Sequence, residues 1–167
     1  VNLGLDLKGG VHLVLRVQTD DALRLETETT VERLRDTLTR GAVQFTRLEM
    51  TDPKTFVVEG IQNDAGYRTA AVDPDTVYNR SSRVGGYTYS MKPNIENQLR
   101  GEAVTQALQT IERRVNDLGV AEPVVARHSA ADQVLVQLPG VSDVNRAKEI
   151  IEDFMVAANG VTARHLE

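Results

Sequence analysis

The chain has no cysteine and no tryptophan, and only 4% of its 167 residues are aromatic. Without cysteine, neither a disulfide framework nor a thiolate metal site is possible. Such a chain suits an oxidising compartment, although many cytosolic domains lack cysteine too. Few aromatics means few platforms on which nucleic-acid bases stack. Charge argues the same way, because 19 Lys and Arg against 24 Asp and Glu leave −5, whereas a phosphate backbone requires a basic surface. No apolar run reaches the ~20 residues of a membrane helix, and no signal peptide is evident. The first residue is Val1, inside a strand-like pattern, so a piece of a longer protein is expected, with any membrane segments outside it.

What is present is a hydrophobic content of 41%, enough for a core of Val, Leu, Ile and Ala. The length suits one ordinary domain or two small subdomains. Residues 1–18 read as one long strand bent at Gly9-Gly10, since Leu3, Leu5, Leu7, Val11, Leu13, Leu15 and Val17 keep one parity. Thr19, Asp20 and Asp21 offer helix N-caps. Leu23, Thr27, Thr30, Val31, Leu34 and Leu38 then recur at helical spacing before a stop at Gly41. Residues 43–49 and 56–61 read as strands joined by the turn Thr51-Asp52-Pro53-Lys54. In residues 63–82, Ala70, Ala71, Val72, Val77 and Tyr78 suggest one or two short helices. Residues 84–91 alternate as a strand that carries Gly85-Gly86 and places Tyr87 and Tyr89 on one face.

The longest helix opens at Pro93 and Asn94. Its stripe runs through Ile95, Leu99, Ala103, Val104, Ala107, Leu108, Ile111, Val115 and Leu118 to a stop at Gly119. Residues 123–127 and 134–138 read as a hairpin, closed by Pro139-Gly140. A last helix follows, with Ala147, Ile150, Ile151 and Phe154 on its face, and residues 161–167 are an edge strand or a frayed end. The first six elements have the βαββαβ order of a ferredoxin-like split unit. The expected class is therefore α+β, a ferredoxin-like βαββαβ-type sandwich of antiparallel sheet with helices packed on one face. The later elements repeat part of that order, which admits two related subdomains, and no residue-level repeat backs them. The expected division is a first lobe over residues 1–92, completed by residues 93–167.

Chemistry is sparse. The spacing Gly4-x4-Gly9-Gly10 fails as a phosphate loop, because Gly10 and Val11 stand where Lys and Ser or Thr are needed and a strand follows. Asp6 beside the double glycine is expected to pin the bend by accepting amide hydrogen bonds. His12, His128 and His165 lie in different elements with no ligand spacing. Asp73-Pro74-Asp75 lacks the glycine and closing Glu of a calcium loop. Arg113 and Arg114, in an exposed charge cluster with Asp117, offset the dipole at a helix C-terminus, and Glu122 is placed to cap or to bridge back to an arginine. No catalytic, cofactor-binding or metal residue is assigned.

Two longer motifs carry a family resemblance. Residues 4–12, GLDLKGGVH, resemble the GLDLxGG signature of the SecD family, the accessory subunit of the bacterial Sec translocase. Residues 114–125, RVNDLGVAEPVV, resemble its second signature, and residues 134–140, VLVQLPG, with 147–151, AKEII, extend the match. Residues 152–167 depart from the family's pattern. The resemblance implies the first periplasmic domain of an inner-membrane protein of the efflux-type RND superfamily, which assists protein export driven by the proton motive force. It implies SecF, the translocon channel and unfolded secretory polypeptide as partners, with anchoring in the inner membrane through helices outside this chain. It implies no enzyme activity, no cofactor and no nucleic acid. The fragment would be the base that passes motion between membrane helices and a substrate-holding head, the head being absent here. Its motif and hinge residues would be Gly4, Asp6, Gly9, Gly10, Arg114, Asn116, Gly119, Glu122, Pro123, Pro139 and Gly140. The alternative is a stand-alone periplasmic module that binds peptide or protein by strand addition at a sheet edge.

Overall fold

The computed structural model describes residues 10–141, 145–149 and 163–166, the last four as backbone. Its elements in order are β1 (Val11–Val17), α1 (Asp20–Arg40), β2 (Arg47–Asp52), β3 (Thr55–Glu59) and α2 (Asp64–Ala70). A 3-10 turn (Asp73–Thr76) leads to β4 (Tyr78–Arg83), β5 (Gly86–Met91) and α3 (Pro93–Asp117). Then come β6 (Val124–Arg127), β7 (Gln133–Leu138), a helical stretch at 145–149 and β8 (Ala163–Leu166). The strands form two antiparallel sheets, in the orders β6-β7-β1-β8 and β2-β3-β5-β4. The fold is α+β, as expected.

The compact units are nested. One takes the described residues of Val1–Ala22 and Arg100–Glu167, and the other is Leu23–Leu99. The expected sequential cut at residue 92 differs from this, and the first six elements do not share a sheet. β1 pairs instead with β7 and β8.

In the enclosing unit, strict alternation along β1 buries Val11, Leu13, Leu15 and Val17 and leaves His12 and Arg16 outside. Val134, Val136 and Leu138 of β7 face the same core, because the register sets Val11 opposite Leu138 and Leu13 opposite Val136. The stripe Ala103, Val104, Ala107, Ile111 and Val115 of α3 covers that face, with Ala147 beside it. Each large apolar side chain buried there contributes about 1.5–3 kcal/mol. Leu118, the last residue of the expected stripe, is 42% exposed, because the helix has ended one residue earlier. Arg127 ties the edge strand β6 to the helix through the Thr105 hydroxyl and, at 3.4 Å, the Gly101 carbonyl. Arg100 holds Thr19 and Asp20 at 2.7 Å each. Of the expected last helical face, Ile150, Ile151 and Phe154 lie outside the described residues. The expected edge strand at the end of the chain is β8.

In the inserted unit, α1 buries the six residues its periodicity marks, Leu23, Thr27, Thr30, Val31, Leu34 and Leu38. They meet an aromatic core in which Phe56 stacks on Tyr89 at 4.5 Å and meets Tyr78 edge-on at 5.1 Å. The Tyr67 and Tyr89 hydroxyls bond at 2.7 Å. The helix ends at Arg40, just before Gly41 as expected, but it is Ala42 that takes the left-handed conformation, with φ 53°. Val43 N–H reaches Leu38 C=O at 2.9 Å and Ala42 N–H reaches Thr39 C=O at 3.2 Å, the two bonds of a Schellman cap. β2 starts at Arg47 and not at 43, although Thr46 N–H still reaches Glu59 C=O at 2.9 Å and Gln62 N–H reaches Gln44 C=O at 3.2 Å. Tyr78, expected in a helix, begins β4. The side chains of 79–83 are exposed, which removes the alternation that would have marked this strand.

Candidate functional site

The register of one sheet gathers three separated motif stretches at one end. β1 begins at Val11 opposite Leu138, the last residue of β7, and β6 begins at Val124 opposite Gln137. Gly10, the loop 118–123 and the turn Pro139-Gly140 are therefore neighbours at the same end of the strands. Gly4, Asp6 and Gly9 lie outside the described residues, as does the bend that Asp6 was expected to pin.

Each stretch has a local cause. α3 ends in a tight turn, with Leu118 N–H on Arg114 C=O at 3.2 Å and Gly119 N–H on Asn116 C=O at 3.0 Å. Gly119 has φ +77°, open to glycine without a Cβ penalty. Val120 turns back onto the core, so the loop is anchored at its centre. Glu122 has φ +49°, where a side chain costs about 1–2 kcal/mol. It forms no ion pair among the described residues, so the expected bridge to an arginine is not made. Pro123 then leads into β6. Beyond β7, Val141 N–H bonds Leu138 C=O at 3.3 Å around Gly140, whose φ is +82°, and Val141 also packs on the core. Arg114 is half-buried on α3, while Asn116 is exposed.

Two exposed apolar residues, Leu118 and Val124, flank this loop at 42% and 41% exposure. Sequence reasoning placed both in elements but missed their exposure, which depends on where the helix stops. It also missed the strain at Glu122, because glutamate, unlike glycine, Asn or Asp, carries no signal for a positive φ. Several shifted titrating groups lie in the other unit. Burial raises the Tyr67, Tyr78 and Tyr89 phenols. A hydrogen bond from Arg47 lowers the Glu59 carboxyl. Among the described residues no three His, Asp or Glu side chains converge as a metal site. What the motif end offers is shaped backbone and an apolar rim.

Comparison with known proteins agrees with these motifs. Residues 104–154 match the family described as protein translocase subunit SecDF, P1 domain, N-terminal. Residues 1–21 match the SecD/SecF GG motif. The chain is 38% identical over 160 residues to the protein translocase subunit SecD of Koribacter versatilis, covering 91% of this chain and 30% of that protein. With SecD of Escherichia coli it shares 35% over 158 residues, 90% of this chain and 25% of that protein. With SecD of Aquifex aeolicus it shares 31% over 156 residues, 90% of this chain and 30% of that protein. The chain spans between a quarter and a third of the length of these relatives. On two motifs in order and on identity along nine-tenths of its length, the chain belongs to the SecD family of protein translocase subunits.

Proposed function

We infer that this chain is the periplasmic base of a SecD-like subunit that assists protein export driven by the proton motive force. Its partners would be SecF, the translocon channel and the unfolded secretory polypeptide, and membrane helices outside this chain would anchor it. The base is not an enzyme in this reading. It passes movement between those helices and the part of the subunit that holds the emerging chain. The enclosing unit, read as β1, α3, β6, β7, the 145–149 helix and β8, has a split βαββαβ order with the other unit inserted after β1.

The observation that carries the reading is the convergence of Gly10, residues 118–123 and Pro139-Gly140 at one sheet end. A strand entering at Gly10 would hand a displacement to the β7 turn through the β1–β7 ladder, and on through the β7–β6 ladder to the loop that follows the α3 stop. Glu122 supports a mechanical role, since backbone strain persists where surrounding structure holds it. The rival reading, peptide capture by strand addition, would use the sheet edges β6, β8, β2 and β4. β6 and β8 have four residues each, β2 carries Arg47, Glu49 and Asp52, and β4 carries Arg80 and Arg83; short or charged edges resist addition.

The test is Gly10→Val and Gly119→Val in the full-length subunit, with pulse-labelled export of a secretory protein as the readout. Export slowed several-fold at normal subunit abundance is expected. Unchanged export would overturn the reading.

A further inference from the structure

A cavity of about 360 Å³ opens in the inserted unit, and no family-motif residue lines it. Glu26, Thr30, Arg33 and Thr37 of α1 line one wall. They fall on one helix face and span about 16 Å at 1.5 Å per residue. Asp73, Thr76 and Tyr78 line it as well, and Leu34, Pro74 and Val77 give it an apolar floor. A cleft of this size lies within the range of ligand sites, roughly 300–1,000 Å³.

The hydrogen-bond directions define what it can hold. Thr37 donates to the Arg33 carbonyl at 3.0 Å, and Thr76 donates to the Asp73 carbonyl at 3.0 Å. Thr27 donates to the Pro53 carbonyl at 2.7 Å. Its one proton is then used, so in the 3.0 Å contact between the two hydroxyls Tyr78 donates to Thr27. The protons of Thr37 and Thr76 are thus committed inside the protein, and these oxygens meet a ligand as acceptors, while the Tyr78 hydroxyl stays buried on Thr27.

The charges add to this. Elsewhere in the unit most arginines are paired, Arg35 with Glu32, Arg40 with Asp36, Arg47 with Glu59 and Arg68 with Asp64, while Arg24, like Arg33, enters no ion pair among the described residues. Among the described residues, Glu26, Arg33 and Asp73 enter no ion pair, and the Arg33 bond to Thr30 is long, at 3.5 Å. The cavity therefore presents two carboxylates and two hydroxyl acceptors against one guanidinium donor. Its complement is rich in N–H donors, carries a positive charge, and supplies a carbonyl for Arg33. It also has a small apolar part for the floor.

We propose that this cavity binds an extended polypeptide segment through a basic side chain, with Arg33 taking a neighbouring backbone carbonyl. A polyamine meets the carboxylates but leaves Arg33 facing like charge, and an acidic segment reverses the match. The site goes beyond the role assigned to the motif end, and neither depends on the other.

The experiment titrates the isotope-labelled chain with the capped peptide Ala-Ala-Lys-Ala-Ala, with its Ala-Ala-Glu-Ala-Ala counterpart and with spermidine, following amide shifts. The lysine peptide is expected to shift amides of residues 26–37 and 70–78 and to bind about tenfold more tightly than either competitor. The double variant Glu26→Gln, Asp73→Asn should lose that preference, and Arg33→Gln alone should weaken the lysine peptide several-fold. Both alter side chains outside the core, and an unchanged tyrosine spectrum checks their folding. The proposal fails if the lysine peptide shifts no amides in those segments. It also fails if the glutamate peptide or spermidine binds as tightly, or if the preference survives the double variant.

Discussion

Adding one methyl group at two glycines should move stability in opposite directions. A Cβ at Gly86 would lie 1.8 Å from the Val58 carbonyl oxygen and 2.7 Å from its carbon. Real Cβ atoms essentially never come within 3.0 Å of such a neighbour, so β3 and β5 would have to part by more than about an ångström. That contact is to backbone, and the ladder from Thr55–Ser90 to Val58–Tyr87 holds it, as does the stack of Phe56 on Tyr89. Gly86→Ala should then cost about 3 kcal/mol or more, at the upper end of overpacking. At Gly101, inside α3, a Cβ would meet nothing within 4 Å. Gly101→Ala should stabilise the enclosing unit by about 0.5–1 kcal/mol through helix propensity. All four tyrosines lie in the inserted unit and there is no tryptophan, so tyrosine fluorescence in urea reports that unit alone. With an m-value near 1.5 kcal/mol/M, Gly86→Ala should lower its midpoint by about 2 M, while far-UV circular dichroism reads the gain from Gly101→Ala. A Gly86→Ala midpoint within error of the parent would refute the packing argument.

Ala42→Gly should stabilise the inserted unit by about 0.5–1 kcal/mol, since glycine takes the left-handed cap position without the steric cost. A lower tyrosine-reported midpoint would contradict the cap. Stability should also fall at alkaline pH. Burial raises the Tyr67, Tyr78 and Tyr89 phenols in the folded chain, whereas the unfolded chain ionises them near pH 10. Their contribution is complete below about pH 10 and declines above it, by up to about 1.4 kcal/mol per pH unit for each phenol held neutral. Urea midpoints by circular dichroism at pH 9 and 11 should differ, and equal midpoints would show that these hydroxyls reach solvent.

Features set by local periodicity could be read directly. The six buried positions of α1, the inward parity of β1 from Val11 to Val17, and the end of α3 before Gly119 follow from residues three, four or two apart. The α+β class follows from those elements, and the family from two contiguous motifs. Features set by distant partners could not be read. β4 is an edge strand with 79–83 exposed, so it shows no alternation. Ala42, one residue beyond the expected stop, takes the cap because Val43 finds Leu38 across the turn. Exposure of Leu118 depends on the same kind of ending at Gly119.

The candidate site divides in the same way. Local residue patterns determined by themselves that Gly119, Pro123 and Pro139-Gly140 stand at element ends, because turns demand those backbones locally; they marked Gly10 as a bend within a strand and held no signal for the backbone of Glu122. Only the tertiary structure decided that β1 pairs with β7 and β8, not with β2, and that Leu23–Leu99 is an insertion. Strand pairing is a choice among distant hydrogen-bonding edges, settled by which faces bury together. That choice brings residues 10, 118–123 and 139–140 to one end of one sheet.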